Sequence, residues 1–406
     1  MLYALPLVFA LIGLALYGVL GGADFGAGFW QLTAGSGRGA DGLRQRAHDS
    51  MGPVWEANHV WLIFVLTVFW TAYPKAFGSI ASTLSVALLL AAVGIILRGA
   101  AYALRTGTDE PRQQRAIDTV FGVSSVIAPF ALGAALGGIA SGRVPVGNAR
   151  GGEISSWVNP TSILIGTLAV LTGVYLAAVF LCGDANRDGE PELAERFRVR
   201  ALAAGALAGA VALGGFAVLH GDAHPLYRGL MTGGGLAALT VSVLAGTATL
   251  ALIWTRHYEP ARFTAAVAVA AIVAGWALAQ SPRLLPGLSV RQAAAPHDTL
   301  VAVVVAIVAG GALLLPALGT LFRLVLGGRL GHVPDDADAT PPGISGSPEA
   351  PGHPALLVRL SGALFIAGLG FTNVADASWA HGVGAVCYVA FLVTAFRVAL
   401  PLPDPT

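Results

Sequence analysis

The chain has 406 residues, of which 55% are hydrophobic and only 11% charged, with a formal net charge of +1. A water-soluble domain carries about 25% charged residues, so a soluble globular fold is excluded, and so neutral a chain offers no electrostatic footprint for nucleic acid. The mean hydropathy of +0.73 fits a chain that lives in a bilayer.

The apolar residues fall in blocks long enough to cross about 30 Å of hydrocarbon as helices. Eleven spans are predicted, near 3–23, 54–73, 78–102, 117–140, 159–182, 199–219, 232–254, 262–280, 298–323, 357–373 and 381–400. Runs such as LSVALLLAAVGIIL (84–97) do not alternate apolar with polar, as the strands of a membrane barrel would. The fold class is therefore all-α and polytopic. The first Lys or Arg is Arg38, so the opening run lacks the basic start of a signal peptide and reads as a retained first span. Residues 331–356 are rich in Pro, Gly, Ser and Asp, the composition of a flexible linker. The expected organisation is a nine-span core over 1–330, the linker, and a two-span appendage over 357–406.

Cationic residues orient membrane chains, because Lys and Arg are retained on the cytoplasmic side. With the N-terminus outside, 16 of them fall in inside loops and 6 outside, the latter being Lys75, Arg143, Arg150, Arg228, Arg283 and Arg291. The expectation is a periplasmic N-terminus and a cytoplasmic C-terminus in a bacterial inner membrane.

Ionisable groups inside a span are costly and mark function by default. The deep ones are Asp24, Glu56, His59 and Arg98. In the predicted topology all four lie toward the cytoplasmic side, although they come from three different spans. Glu56 and His59 are three residues apart and share a helix face, and a buried carboxylate beside an imidazole is suited to passing protons. A structural ion-pair cluster, with Arg98 snorkelling to the interface, accounts for the same residues. Trp55 and Trp61 flank this patch, and Trp30, just past the first span, reads as an anchor in an interfacial aromatic belt.

Metal chemistry finds little support. His220, Asp222 and His224 have an H-x-D-x-H spacing, but a closed site needs further ligands. Haem ligation inside a bundle needs His, Met or Cys; only His59 and His381, both near span ends, lie within spans, and the methionines are Met1, Met51 and Met231. No cofactor is expected in this chain. Cys182 and Cys387 sit in no ligand pattern, and nothing asks for a disulfide. The pairs Gly133/Gly137 and Gly205/Gly209 have GxxxG spacing and are read as helix packing.

Two segments carry a family resemblance. GVLGGADFGAGFW (18–30) followed by GPVWEANHVWLI (52–63) resembles the first two helices of subunit II of cytochrome bd-type quinol oxidases, with their "DG-x-D-x-G-x-G" and "P-x-W-D/E-x-N-x-V-W-L" patterns. SVIAPFALGAALGGIASGRVPV (125–146) and WVNPTSILIGTLAV (157–170) resemble the fourth helix and the "NPF" entry to the fifth. The resemblance covers roughly the first 185 residues; later spans agree in hydropathy and order only.

It implies two four-helix bundles plus a peripheral helix. It also implies a heterodimer with a homologous subunit I that holds haem b558, haem b595 and haem d, a small accessory subunit being a further possible partner. That complex oxidises quinol and reduces dioxygen to water electrogenically in the respiratory chain, taking its protons from the cytoplasm. This chain would be the haem-free, non-catalytic subunit, lining a proton route with Glu56, Asp24 and His59. Trp55, Asn58, Trp61 and Arg98 would pack the site or the partner subunit. Gly21 stands where the family pattern has its first aspartate. The rival reading is a secondary transporter, whose substrate groups would lie near the midplane in paired halves. The deep polar residues here crowd into the first three spans instead.

Overall fold

The computed structural model describes residues 2–35, 38–49, 54–105, 111–326, 355–373 and 378–399. The side chains of Trp55, Glu56 and His381 lie outside the described residues, as does the linker segment 331–354. The chain divides into two compact units, Met1–Arg323 and Leu324–Thr406.

Helix α1 spans Leu2–Leu32 and includes a π-helical turn at Tyr17–Gly21. At about 1.5 Å per residue it is about 46 Å long. After it come α2 (Arg38–Asp49), α3 (Val54–Ala72), α4 (Pro74–Thr83), α5 (Ser85–Arg105), α6 (Pro111–Ala140), α7 (Pro160–Arg187) and α8 (Pro191–Asp222). The first unit continues through α9 (His224–Leu230), α10 (Gly233–Trp254), α11 (Tyr258–Gln280), a short hairpin of β1 (Arg283–Leu285) and β2 (Leu288–Ser289), α12 (Val290–Ala293) and α13 (His297–Leu326). In the second unit α14 (Ala355–Asn373) and α15 (Ser378–Ala399) pack on each other as a hairpin.

The expected all-α polytopic class holds. Among the described residues eight helices are long and apolar enough to cross a membrane. The other three expected spans coincide with α3, α14 and α15, in which Asn58–Ala72, Arg359–Gly368 and Gly382–Thr394 are the apolar stretches among the described residues. Two boundaries shift for identifiable reasons. The expected third span begins as α4 and breaks at Leu84 before α5. The break lies where the Ser79 and Ser82 hydroxyls bond back to Lys75 and Gly78 carbonyls while accepting the Gly147 and Ala149 N–H groups of a crossing loop. The expected sixth span starts eight residues early, at Pro191. Proline is favoured in a first helical turn, and the charged Glu192–Arg200 stretch extends the helix past its apolar block.

Helix α1 is a centrepiece: its first half packs on α3 and its second on α6 and α7. The order of contact then runs α5 with α6, α6 with α7, α7 with α8 and α11, and α10 with α11. Lipid tails are as apolar as leucine, so such helices associate by close van der Waals fit rather than by hydrophobic exclusion. Of the two GxxxG pairs, Gly133 and Gly137 form a seam, where a Cβ would lie 2.9 Å from the Gly166 Cα and 2.4 Å from the Ser162 Cα of α7. Gly205 meets Leu250 and Tyr175, whereas Gly209 meets nothing within 4 Å.

At the end where α8 finishes, Asp222 ties three elements together. It accepts two hydrogen bonds from Arg143, at 2.6 and 3.1 Å, and one each from the Thr161 hydroxyl and N–H, at 2.6 and 3.1 Å. The H-x-D-x-H segment is thus a latch. His224 stacks on Tyr227, His220 meets the same ring edge-on, and Arg228 donates to His224 Nε2. Among the described residues no group of three or more potential ligands could hold a metal. Asp222→Ala should lower stability by about 1–3 kcal/mol, the cost of stranding buried hydrogen-bond donors. Thermal unfolding of the solubilised protein would read this as a lower midpoint. An unchanged midpoint would mean that the latch is redundant.

Candidate functional site

The deep polar residues converge. Asp24 lies within α1, eight residues before its end, so it sits deeper than the span end expected from hydropathy alone. Phe29, Trp30 and Leu32 carry the helix on, and the Trp30 indole donates to the Val174 carbonyl of α7 at 2.9 Å. With the Arg200 guanidinium 5.6 Å from its ring centroid, Trp30 also packs between helices.

Asp24 is 8% exposed and accepts a hydrogen bond from the Asn58 amide of α3, itself 4% exposed. Arg98 of α5 is 2% exposed and donates to the Asp24 backbone carbonyl at 2.8 Å. Its guanidinium lies between two aromatic faces, 4.9 Å from the Phe25 centroid and 5.0 Å from that of Phe121. Those quadrupoles replace part of the lost hydration. Snorkelling to the interface is therefore not what Arg98 does; it is enclosed. A charge so buried needs compensation, and Asp24 lies within its electrostatic reach.

His59 of α3 is partly buried and edges against Tyr17 and Phe25, with ring centroids 5.9 and 6.0 Å apart. Trp61 packs beside the same Tyr17–Phe25–Ala128 cluster. Glu56 lies in the first turn of α3, with its side chain outside the described residues, and the same holds for Trp55. The structure thus brings Asp24, Asn58, His59 and Arg98 together from three helices.

Sequence reasoning missed two features. The first is a second polar layer. Gln31, 3% exposed, donates to Asp118 of α6 at 2.9 Å, and Arg105 reaches the same carboxylate at 3.3 Å. Gln31 is seven residues after Asp24 and Arg105 seven after Arg98. That spacing is two helical turns, about 10 Å along the axis, so the layers stack on the same two helices. The buried hydroxyls of Ser124 and Ser125 lie between, both turned to the Phe121 carbonyl. Arg105 and Asp118 retain about a fifth of their side-chain exposure, at 21% and 24%, so the outer layer is partly exposed while the inner one is enclosed. The repeat of seven was a readable signal.

The second is Tyr17. Its ring lies against Gly21, where a Cβ would come within 2.8 Å of the ring. The position at which the family pattern has an acid is thus covered by an aromatic ring four residues earlier. A tyrosine at that distance before the glycine was the available clue.

Comparison with known proteins places this geometry. A family model described as cytochrome bd terminal oxidase subunit II matches residues 3–325. The cytochrome bd-I ubiquinol oxidase subunit 2 of Escherichia coli strain K12 is 28% identical over 179 residues, 42% of this chain and 46% of that one. The cytochrome bd ubiquinol oxidase subunit 2 of Bacillus subtilis strain 168 is 28% identical over 155 residues, 37% of this chain and 44% of that one. The matched stretches thus span less than half the length of these relatives. The bd oxidase structure from Geobacillus thermodenitrificans superimposes with a TM-score of 0.63, covering 80% of this chain and 98% of that chain at 24% identity, and so shares the fold. The matched model ends at residue 325, before α14 and α15. The chain belongs to the cytochrome bd terminal oxidase subunit II family.

Proposed function

We propose that this chain is the haem-free subunit of a quinol:dioxygen oxidoreductase in a bacterial inner membrane, and that it lines a proton route into the complex. In this reading a homologous subunit I holds the haems b558, b595 and d and carries out the redox chemistry. This subunit supports it, with α14 and α15 as an added pair outside the family core. Two four-helix bundles plus a peripheral α13 are the arrangement proposed, and the contact order given above supports it.

One observation carries the proton route: a buried carboxylate, Asp24, held by the Asn58 amide, with Arg98 on the Asp24 backbone carbonyl, and continued by the partly exposed Gln31–Asp118–Arg105 layer. Protons move along buried polar groups that exchange hydrogen bonds, and a carboxylate or imidazole is the usual carrier. The excess of Arg at the end where α1 finishes supports a cytoplasmic entrance. Glu56, in the first turn of α3, would be the first carrier, with Asp24 and His59 beyond it. A transporter would place its substrate groups at the midplane in both halves, whereas the buried charges found here gather on α1 and α5.

The test has two steps. The purified chain should bring with it a haem-bearing subunit and show quinol-dependent oxygen uptake; a haem-free protein that moves a solute would overturn the reading. In that complex Glu56→Ala should slow oxygen uptake by roughly 10²-fold, the lower end of what a positioned proton-transfer group contributes, with haem content unchanged. Wild-type turnover would remove Glu56 from the route.

A further inference from the structure

Tyr17 is 6% exposed, and its hydroxyl is buried with no hydrogen-bond partner among the described residues. A buried phenol left so is costly, and native structures normally satisfy such a group with protein or water. Its surroundings are polar on one side. The ring meets His59 edge-on at 5.9 Å and Phe25 at 6.4 Å, and the Arg98 guanidinium lies 4.9 Å from that Phe25 ring. The backbone beneath it is a π-helical turn, in which the Gly22 N–H reaches back to the Tyr17 carbonyl. Such turns recur where a helix must present a functional side chain. The ring also fills the space beside Gly21, so residues 17 and 21 form one complementary pair.

We infer that the Tyr17 hydroxyl is a relay group in this buried site: it binds a water molecule between Asp24 and His59 and completes the proton path at the point where residue 21 offers no side chain. Site polarity favours such a water, which needs two to four polar partners; the hydroxyl, Asp24, Asn58 and His59 supply them. In each passage protonated Asp24 gives its proton to the water, the water passes one of its own to a lone pair of the phenol oxygen, and the phenol releases its hydroxyl proton to the His59 imidazole. Water and neutral phenol are both regenerated, and the proton has moved from Asp24 to His59. This rests on the proton-route reading above and adds a residue to it.

The test uses the assembled complex and four variants. Tyr17→Phe keeps the ring, and with it the packing on Gly21, so folding is preserved while the hydroxyl is lost. Oxygen uptake should fall roughly tenfold, a smaller loss than for a primary proton-transfer group. Haem content should stay unchanged and the solvent deuterium isotope effect should rise. The reciprocal swap Tyr17→Ala/Gly21→Asp should recover much of the activity lost in Tyr17→Ala alone, because the carboxyl enters the space the ring has left. Asp24→Asn serves as the reference for the route itself. A Tyr17→Phe complex with wild-type rate and isotope effect, beside a slow Asp24→Asn complex, overturns the relay and leaves the route standing. A slow Tyr17→Phe complex beside an unaffected Asp24→Asn complex overturns the relay as well, since the hydroxyl would then act off the route. Wild-type behaviour in both variants removes the relay and the route together.

Discussion

An Arg98→Ala complex should be less stable than the wild type by about 3–5 kcal/mol, the range for leaving a buried charge uncompensated, because it takes the guanidinium away from the buried Asp24 carboxyl and strands the Asp24 backbone carbonyl that Arg98 bonds. The Asp24 carboxyl would remain 8% exposed with its Asn58 hydrogen bond but without the guanidinium. The space between Phe25 and Phe121 would also empty. Arg98→Lys should recover little, because a compact ammonium cannot meet both rings and the Asp24 carbonyl at once as the broad guanidinium does. Arg98→Ala combined with Asp24→Asn should recover part of the loss, since the uncompensated charge is then gone. The two single losses should therefore not add, and a double-mutant cycle on the thermal midpoint of the solubilised complex measures the coupling. Additive losses would mean that the two groups ignore each other and that the cluster is no electrostatic unit.

The same cycle separates the two accounts of the buried charges that the sequence left open. A structural ion pair predicts that stability and activity recover together in the double variant. A proton route predicts that the double variant regains stability while oxygen uptake stays low, because the amide introduced by Asp24→Asn cannot carry a proton. The sequence placed Asp24, His59 and Arg98 on one side by topology alone, and the structure brings them into one cluster with Asn58. Depth was harder to read. Hydropathy marks where a block of apolar residues stops, and the Asp24 and Gln31 positions lie in a helix whose last turns pack on α6 and α7 rather than facing lipid. The Arg143–Asp222 latch joins residues 79 apart in sequence, a distance that periodicity and composition do not bridge. Tyr17 was hidden for another reason. A tyrosine within an apolar span is ordinary until the ring is seen to occupy the place of a missing side chain at residue 21.

Gly26→Ala tests the packing on which the whole site depends. A Cβ at residue 26 would lie 2.0 Å from the Gly173 carbonyl oxygen and 2.7 Å from the Ala177 Cβ, and a Cβ at Gly173 would in turn lie 2.6 Å from the Gly22 carbonyl oxygen. Here α1 and α7 touch backbone to backbone, so no side-chain rotation relieves the clash. One helix must move away, taking with it the Trp30 hydrogen bond to Val174 and shifting Asp24, two residues before the contact. Overpacking a core costs about 1–3 kcal/mol and occasionally more, and a contact this short against backbone belongs at the upper end. The assembled complex recovered from membranes should fall sharply, and what remains should lose activity. Gly209→Ala is the matched control, because it makes the same change in a membrane helix with nothing within 4 Å. Alanine is the better helix former by about 1 kcal/mol, so that variant should equal or exceed the wild type in stability. Were Gly209→Ala instead to reduce recovery as Gly26→Ala does, the open face of α8 would have to be covered in the membrane by another helix, and the interface with the proposed subunit I would be sought there.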